Sequence, residues 1–456
     1  MKGQFLRSMA EKTRDVGGKS KKQLRRYFSK GGRVRFADDV RNLRDTLADR
    51  VDRRYERNDP IYSEPVLPVE QAQAEERVLI KGPIDYGFLF ILIALCLFGA
   101  VMAFSASSVY AAQYHGSSTY YFGRHMLFLG GSVGVVGLIL WLGRPVRWRK
   151  FGVICYALSV VMLVLVLAVG ASYGSGATRW LKLGPFSVQP SEIAKMAVIM
   201  VIALIMSKHE KEINSTQKFR GHFRYAVAYP MLAFGLICLL VVFEHHLSGI
   251  IIIGLMGLVT MYIGGTHKRY FLWLFLLGTA AVIFVLLLSD YAMLRVSTWL
   301  QIEFNSPNLN PLGSAWQTLQ GLNAIGSGGF FGRGLGNSQQ KYGYVSQPQN
   351  DFIFTIICEE LGFVGALGVV LLFCLLIWRG YRIAAKAPDK FCSIVTYGLI
   401  TKVALQTILN IAVVTNSIPN TGISLPFFSS GGTSLVIQIV EMGIVLSISR
   451  FSYQKR

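Results

Sequence analysis

The sequence predicts an all-α fold, a polytopic membrane helix bundle of about ten transmembrane helices with a large outer loop between spans seven and eight. Three observations predict it. The 456-residue chain is 52% hydrophobic, too apolar for a soluble protein of that length. Its apolar runs recur at bilayer-crossing length, about 17–25 residues each. Its basic residues gather on alternate connections between those runs.

The first five runs lie near 84–104, 125–142, 150–171, 191–207 and 226–243. The other five lie near 248–264, 270–289, 351–378, 392–416 and 433–450. Ten crossings put both termini on one side of the membrane. The connections 143–150, 207–225, 265–270 and 379–390, with the end from Arg450, carry 18 Lys/Arg, against 6 on the alternate connections. Both termini are therefore expected in the cytoplasm, and 105–124, 172–190 and 290–350 outside. Residues 84–450 form the membrane domain and 451–456 a cytoplasmic end. Residues 1–83, with 20 Lys/Arg and 13 Asp/Glu, form a basic, largely disordered tail. The charge of +21 suits an anionic inner leaflet and not nucleic acid, because the excess tracks the membrane connections. The six cysteines lie in or beside apolar runs, and no disulfide is expected.

Acids are scarce after residue 83, only twelve, so each one is informative. Glu359, Glu360 and Glu441 fall inside spans, where an ionisable group needs a partner. Lys402 lies at a depth similar to that of Glu359 and Glu360 in the antiparallel ninth span, so an ion pair between them is expected. Glu192 and Lys195 form an i,i+3 pair at the outer start of the fourth span. Asp351 stands at the membrane lip without such a partner. Partial desolvation there would raise its pKa towards that of a general base, while a helix N-cap is an equally good account; the two roles can coincide. Arg124, Arg179, Lys182, Arg295, Arg333 and Lys341 supply cations on the outer face, suited to a pyrophosphate or to lipid headgroups. The glycine-rich 326–336 follows no strand and lies outside, which excludes a nucleotide loop; it suits close backbone approach or a nest for an anion. Glu244-His245-His246 is too compact for one ion, and no other metal spacing or Ser-His-Asp set is present.

Read in order, four blocks resemble the SEDS family of shape, elongation, division and sporulation proteins. They are Gly176-Ala-Thr-Arg179-Trp180 with Gln189-Pro190-Ser191-Glu192-Ile-Ala-Lys195; Asn323-Ala-Ile-Gly326-Ser-Gly-Gly329 with Gly332-Arg-Gly-Leu-Gly336; Pro348-Gln-Asn350-Asp351-Phe-Ile-Phe354 with Glu359-Glu360-Leu-Gly362; and Asn420-Thr-Gly-Ile-Ser-Leu-Pro426-Phe-Phe-Ser429-Ser-Gly431-Gly432. The likeness covers about 84–450 and leaves out the tail. It implies a peptidoglycan glycosyltransferase that transfers the lipid II disaccharide to growing glycan at the outer leaflet and releases undecaprenyl pyrophosphate. It makes Asp351 the catalytic carboxylate. It leaves Arg179, Lys182, Arg295, Lys341, Gln189, Ser191, Ser429 and Gly431 as substrate or pyrophosphate ligands, and Glu192, Lys195, Glu359, Glu360 and Lys402 as supporting residues. The expected partners are lipid II, undecaprenyl-linked glycan, a class B penicillin-binding protein and other division proteins. No cofactor is certain; a divalent cation is the one candidate, and its ligands are not legible. The Pro348-Gln-Asn-Asp form favours a division or sporulation member over an elongation one; division, in the bacterial inner membrane, is the expectation, with elongation, sporulation, lipid II flippase and non-catalytic scaffold roles as alternatives. One departure stands out: many members carry Pro-Glu where this chain has Ser346-Gln347, so a carboxylate near the base is lost.

Overall fold

The computed structural model describes residues 78–454 apart from 173–177, 184–185, 215–218, 245, 305–309 and 430–431. The tail expected over 1–83 lies outside the described residues as far as residue 77, and so does Gly431.

Helix dominates. After strand β1 (Val78–Lys81) come α1 (Tyr86–His115), α2 (Tyr120–Leu142) and α3 (Pro145–Val169), followed by the short strands β2 (Ala171–Ser172), β3 (Thr178–Leu183) and β4 (Phe186–Val188). Helix α4 (Pro190–Lys208) leads through two short helical turns and a π-helical stretch, Phe223–Ala228, into α5 (Tyr229–Phe243). Then follow α6 (Leu247–Gly264), α7 (Lys268–Leu288), α8 (Asp290–Glu303), α9 (Trp316–Gly328), α10 (Ile353–Ala385), α11 (Lys390–Val414), α12 (Gly432–Ser449) and β5 (Phe451–Gln454). Each of the ten expected spans is a helix. Among the described residues eight are long and apolar enough to cross a membrane; α6 is a shorter apolar helix, and α7 has 21 residues.

Local chemistry sets the helix ends. Proline opens α3 and α4, where its missing N–H costs nothing. Asp85 and Asp389 cap α1 and α11 by accepting from Phe88 N at 2.9 Å and Cys392 N at 2.7 Å. Helix α1 runs well past its expected end at 104 because Ser105, Ala106 and Ser107 are buried against the rest of the bundle.

Helix α4 is the centre. Ala194, Ala197, Val198, Ile199, Met200, Ile202 and Ala203 are fully buried, which marks a helix packed on all sides. Glycines let its neighbours approach: a Cβ on Gly152 of α3 would meet Met200 Cβ at 2.7 Å, and one on Gly398 of α11 would overlap Ile199. Helices α2 and α3 instead expose Leu127, Leu138, Ile154 and Val161, as lipid-facing surfaces do.

Two small sheets were not foreseen from the sequence. Strands β2, β3 and β4 form an antiparallel ribbon before α4. Strand β1 pairs antiparallel with β5, Val78 opposite Gln454 and Lys81 opposite Phe451, so the two ends of the membrane domain are clasped together. The side of the bundle that carries this clasp is termed the ribbon face, and the side that carries the 290–350 connection the loop face.

Candidate active site

Asp351 stands at the loop-face entrance to α10. The N-cap position belongs to Phe352, and no side chain caps the helix, so Asp351 is not spent on capping. The residue is held through its backbone instead. The Asn410 amide, buried on α11, donates to the Asp351 carbonyl at 2.8 Å and to the Ile423 carbonyl at 2.7 Å. One side chain thereby ties the start of α10 to the 415–431 connection. Gly422 packs against the carboxylate: its φ is 70°, and a Cβ there would sit 3.1 Å from Asp351 Oδ2.

Helix α8 closes the other side. Arg295 donates to the Asn420 carbonyl at 2.7 Å and Trp299 to the Asn416 carbonyl at 2.8 Å. The connection is also plugged into the bundle from behind. Phe427 and Phe428 are buried beside Phe373, Phe428 meets Phe98 edge-on with centroids 5.8 Å apart, and the Phe427 N–H donates to Gln438 Oε1 at 3.0 Å. The half-buried Asp351 carboxylate is thus surrounded by protein. Burial pushes its pKa from the ordinary 3.8 up to about 6, against the opposing pull of the Arg295 guanidinium. A carboxylate in that range is ionised at neutral pH and still basic enough to take a proton from a hydroxyl.

The two acids of α10 are engaged. Glu359 and Glu360, both fully buried, hold the large loop to α10. Glu359 accepts from Ser338 Oγ at 2.5 Å and from the Gln339 and Gln340 N–H groups at 2.9 and 3.3 Å, and pairs with Arg333 at 3.5 Å. Glu360 accepts from Ser105 Oγ at 2.7 Å and pairs with Lys341 at 3.1 Å. The glycine-rich segment lies along the same helix. Arg333 N and Gly334 N donate to the Glu359 and Glu360 carbonyls, while Phe363 N and Val364 N donate back to Gly329 and Phe330. Gly362, at φ 65°, breaks the helix to permit this exchange. Of the two uses expected for the glycines, the structure shows close backbone approach.

The expected pairing of Glu359 or Glu360 with Lys402 does not form. Lys402 pairs with Glu441 of α12 at 2.6 Å, both fully buried, while Glu359 and Glu360 turn to the loop. Equal depth on antiparallel helices says nothing about the direction each residue faces. Glu192 and Lys195 do pair, at 2.5 Å, and Ser191 Oγ lies 3.5 Å from His246 Nδ1. Arg179 is partly exposed on β3, whose backbone also carries Lys182, and Gln189 precedes α4. Thr433 Oγ1 donates to the Ser187 carbonyl at 2.6 Å, which joins this ribbon to the start of α12. Ser429 is buried behind Phe428. Lys341, expected as a pyrophosphate ligand, is buried on Glu360. Ser346 and Gln347 form a turn whose carbonyl and side chain are taken up by Gln317 and Asn350.

Sequence reasoning missed Asn410, Gly422 and Ser105. A neutral amide inside an apolar span is the available signal for Asn410. Among the described residues no group of three or more His, Cys, Asp or Glu is placed to hold a metal.

The family model FTSW_RODA_SPOVE, described as "Cell cycle protein", matches residues 86–454. Stage V sporulation protein E of Bacillus subtilis is 37% identical over 371 residues, which cover 81% of this chain and 97% of that protein. A probable peptidoglycan glycosyltransferase FtsW of Trichlorobacter lovleyi is 34% identical over 367 residues, 80% and 93% of the two chains. Among solved structures, the rod shape determining protein RodA of Thermus thermophilus shares the fold at 24% identity and TM-score 0.58, covering 80% of this chain and 97% of its own. A chain from a structure described as "Structural coordination of polymerization and crosslinking by a peptidoglycan synthase complex" matches at 26% identity and TM-score 0.65, covering 80% and 98%. Several apolar helices and these relatives make it a multi-pass membrane protein, and the chain belongs to the FtsW/RodA/SpoVE family, the SEDS proteins.

Proposed function

We propose that the chain is a peptidoglycan polymerase that transfers the lipid II disaccharide to a growing glycan strand, with Asp351 as general base. The observation that carries this reading is the half-buried, uncapped Asp351 carboxylate at the loop face, with its pKa raised to about 6. FtsW relatives named as probable peptidoglycan glycosyltransferases support the reaction class.

In the proposed step, Asp351 takes the proton of the acceptor sugar's 4-hydroxyl as that oxygen bonds to the donor's anomeric carbon. The anomeric C–O bond to pyrophosphate breaks with its electron pair, undecaprenyl pyrophosphate leaves, and the anomeric centre inverts. The proton held on Asp351 then passes to water. Arg295, and Arg179 and Lys182 on β3, are the cations proposed to offset the charge on the leaving pyrophosphate, with Gln189, Ser191, Ser429 and Gly431 as further contacts. Lys341 and the glutamates of α10 shape the loop and do not touch substrate in this scheme. The loop face would lie outside the cell membrane and both termini inside, consistent with the charge asymmetry of the connections. A class B penicillin-binding protein is the proposed partner, and septal synthesis in division the proposed setting. The similarity to a sporulation protein makes sporulation the competing setting, which a depletion phenotype separates.

The test is polymerisation of lipid II by the purified chain. Wild type should make glycan strands, and Asp351→Asn should lose roughly 10²–10⁴ of the rate, the range for a general base. Headgroup translocation without polymerisation, indifferent to Asp351→Asn, would make it a transporter. Partner binding with neither activity would make it a scaffold.

A further inference from the structure

The opposite end of α10, on the ribbon face, carries a second constellation that the reaction does not use. A cavity of about 110 Å³ opens there, lined by Asp85, Arg379, Arg382, Lys386, Ser449 and Phe451 among others. Arg379, Arg382 and Lys386 stand at i, i+3 and i+7, on one side of the last two turns of the helix. One of these cations is already spent: Arg379 Nε donates to both Asp85 carboxylate oxygens, at 2.9 and 3.0 Å. The same carboxylate caps α1, and the Asp85 N–H donates to Ser449 Oγ. Arg382 and Lys386 are exposed, and among the described residues neither forms an ion pair with a carboxylate. The cavity therefore presents two uncompensated positive charges beside a neutralised pair.

The helix surface leading to it shows what kind of anion would fit. Leu367, Leu371, Leu375 and Trp378 are each about half exposed, and they succeed one another at three- and four-residue spacing up to Arg382. This is a single apolar stripe roughly 16 Å long at 1.5 Å per residue. The Arg382 guanidinium lies over the Trp378 ring, 5.1 Å from its centroid, at the point where the stripe turns from apolar to cationic. Aromatic rings and arginines meet in this way at headgroup depth. A free phosphate would use the cavity and leave the stripe bare; an amphiphile would use both.

We propose that this cavity is the headgroup site of an anionic phospholipid. The phosphodiester lies between Arg382 and Lys386 at the edge of the Arg379–Asp85 pair, and an acyl chain lies along the Leu367–Trp378 stripe. Asp85, Ser449 and Phe451 come from the two chain segments that the β1–β5 ribbon joins, so an occupied site braces the ribbon face.

The experiment is thermal unfolding of the full chain in a neutral detergent, titrated with phosphatidylglycerol, with phosphatidylcholine and with inorganic phosphate. Phosphatidylglycerol should raise Tm, and the other two should not at the same concentrations. Arg382→Gln with Lys386→Gln, both surface positions, should leave the lipid-free Tm near wild type and weaken the lipid response by roughly thirty-fold in apparent affinity. Lys268→Gln with Arg269→Gln removes the same charge from the ribbon-face start of α7 and should change the response by less than roughly twofold. Equal weakening by the two pairs would reduce the effect to a general basic surface and overturn the site. A Tm rise with inorganic phosphate matching that with lipid would replace the phospholipid by a free anion, and no rise with phosphatidylglycerol would remove the site.

Discussion

Asp351 shows how one residue can be costly to the fold and useful to the chemistry. Its pKa is raised on folding, so the folded chain holds the proton more tightly than the unfolded one. The stability this contributes is fully present below about pH 3.8 and is lost as pH rises through about 6. Asp351→Asn should therefore lose most of the polymerisation rate yet raise Tm at neutral pH, through a stability gain of no more than about 3 kcal/mol. The polymerisation rate of the wild type should fall as pH drops through about 6, read from a pH–rate profile at saturating lipid II. Glu244 follows the same sign. Both of its carboxylate oxygens are buried without a hydrogen-bond partner, and burial pushes its pKa up to about 8, opposed by Arg179. Glu244→Gln should be close to neutral in Tm at pH 4 and already stabilising at pH 7, because above about 4.5 the unfolded chain releases a proton that the folded chain must hold up to about 8. Asp351 was legible in the sequence because acids are rare in the membrane domain. Asn410 was not, because a buried amide announces itself only through the two carbonyls it joins, 59 and 13 residues away.

Among the elements, α10 and the loop before it fold as one unit. The loop's Ser338, Gln339 and Gln340 donors and its Arg333 and Lys341 cations converge on two adjacent glutamates, and the helix unwinds at Gly362 to receive the loop backbone. Glu359→Ala would leave several buried donors and a cation without acceptors, at a cost of about 2–4 kcal/mol. Its expected signature is a lower Tm together with faster proteolysis within 329–341, the segment it releases. Helix existence and order were legible from apolar periodicity, and the glycine-rich segment was legible as a place of close backbone approach. The loop-to-helix pairing was not, because it depends on which way Glu359 and Glu360 face. The short strands escaped notice for a related reason: β1 and β5 are four residues each, and their pairing spans nearly the whole membrane domain.

At the scale of the molecule, α4 is packed among the other spans, and the buried charges settle into pairs, with Glu192–Lys195 of α4 in Coulombic reach of Lys402 and Glu441. Lys402 and Glu441 lie deepest, both without solvent exposure. Lys402→Met alone should cost about 3–5 kcal/mol, because Glu441 is left as an unpaired buried charge, whereas Lys402→Met with Glu441→Leu should recover most of it. Thermal unfolding of the two variants in detergent distinguishes a pair that stabilises by its presence from one that is merely costly to break. The presence and order of the long apolar helices could be read from hydropathy alone. The partner of each intramembrane charge could not, because hydropathy fixes depth and leaves the rotation of each helix open.

The β1–β5 clasp has a further consequence for how the chain could be rewired. Val78 and Gln454 are directly opposed in an antiparallel pair, so the gap between them is about 5 Å and a two- or three-residue turn would bridge it. A membrane domain circularised there and opened between Lys208 and Phe219, a connection on the same side of the bundle, would keep every helix crossing in its original direction. Tension applied to either end of the native domain is likewise met first by a four-residue zipper of backbone hydrogen bonds, before any helix is drawn from its place.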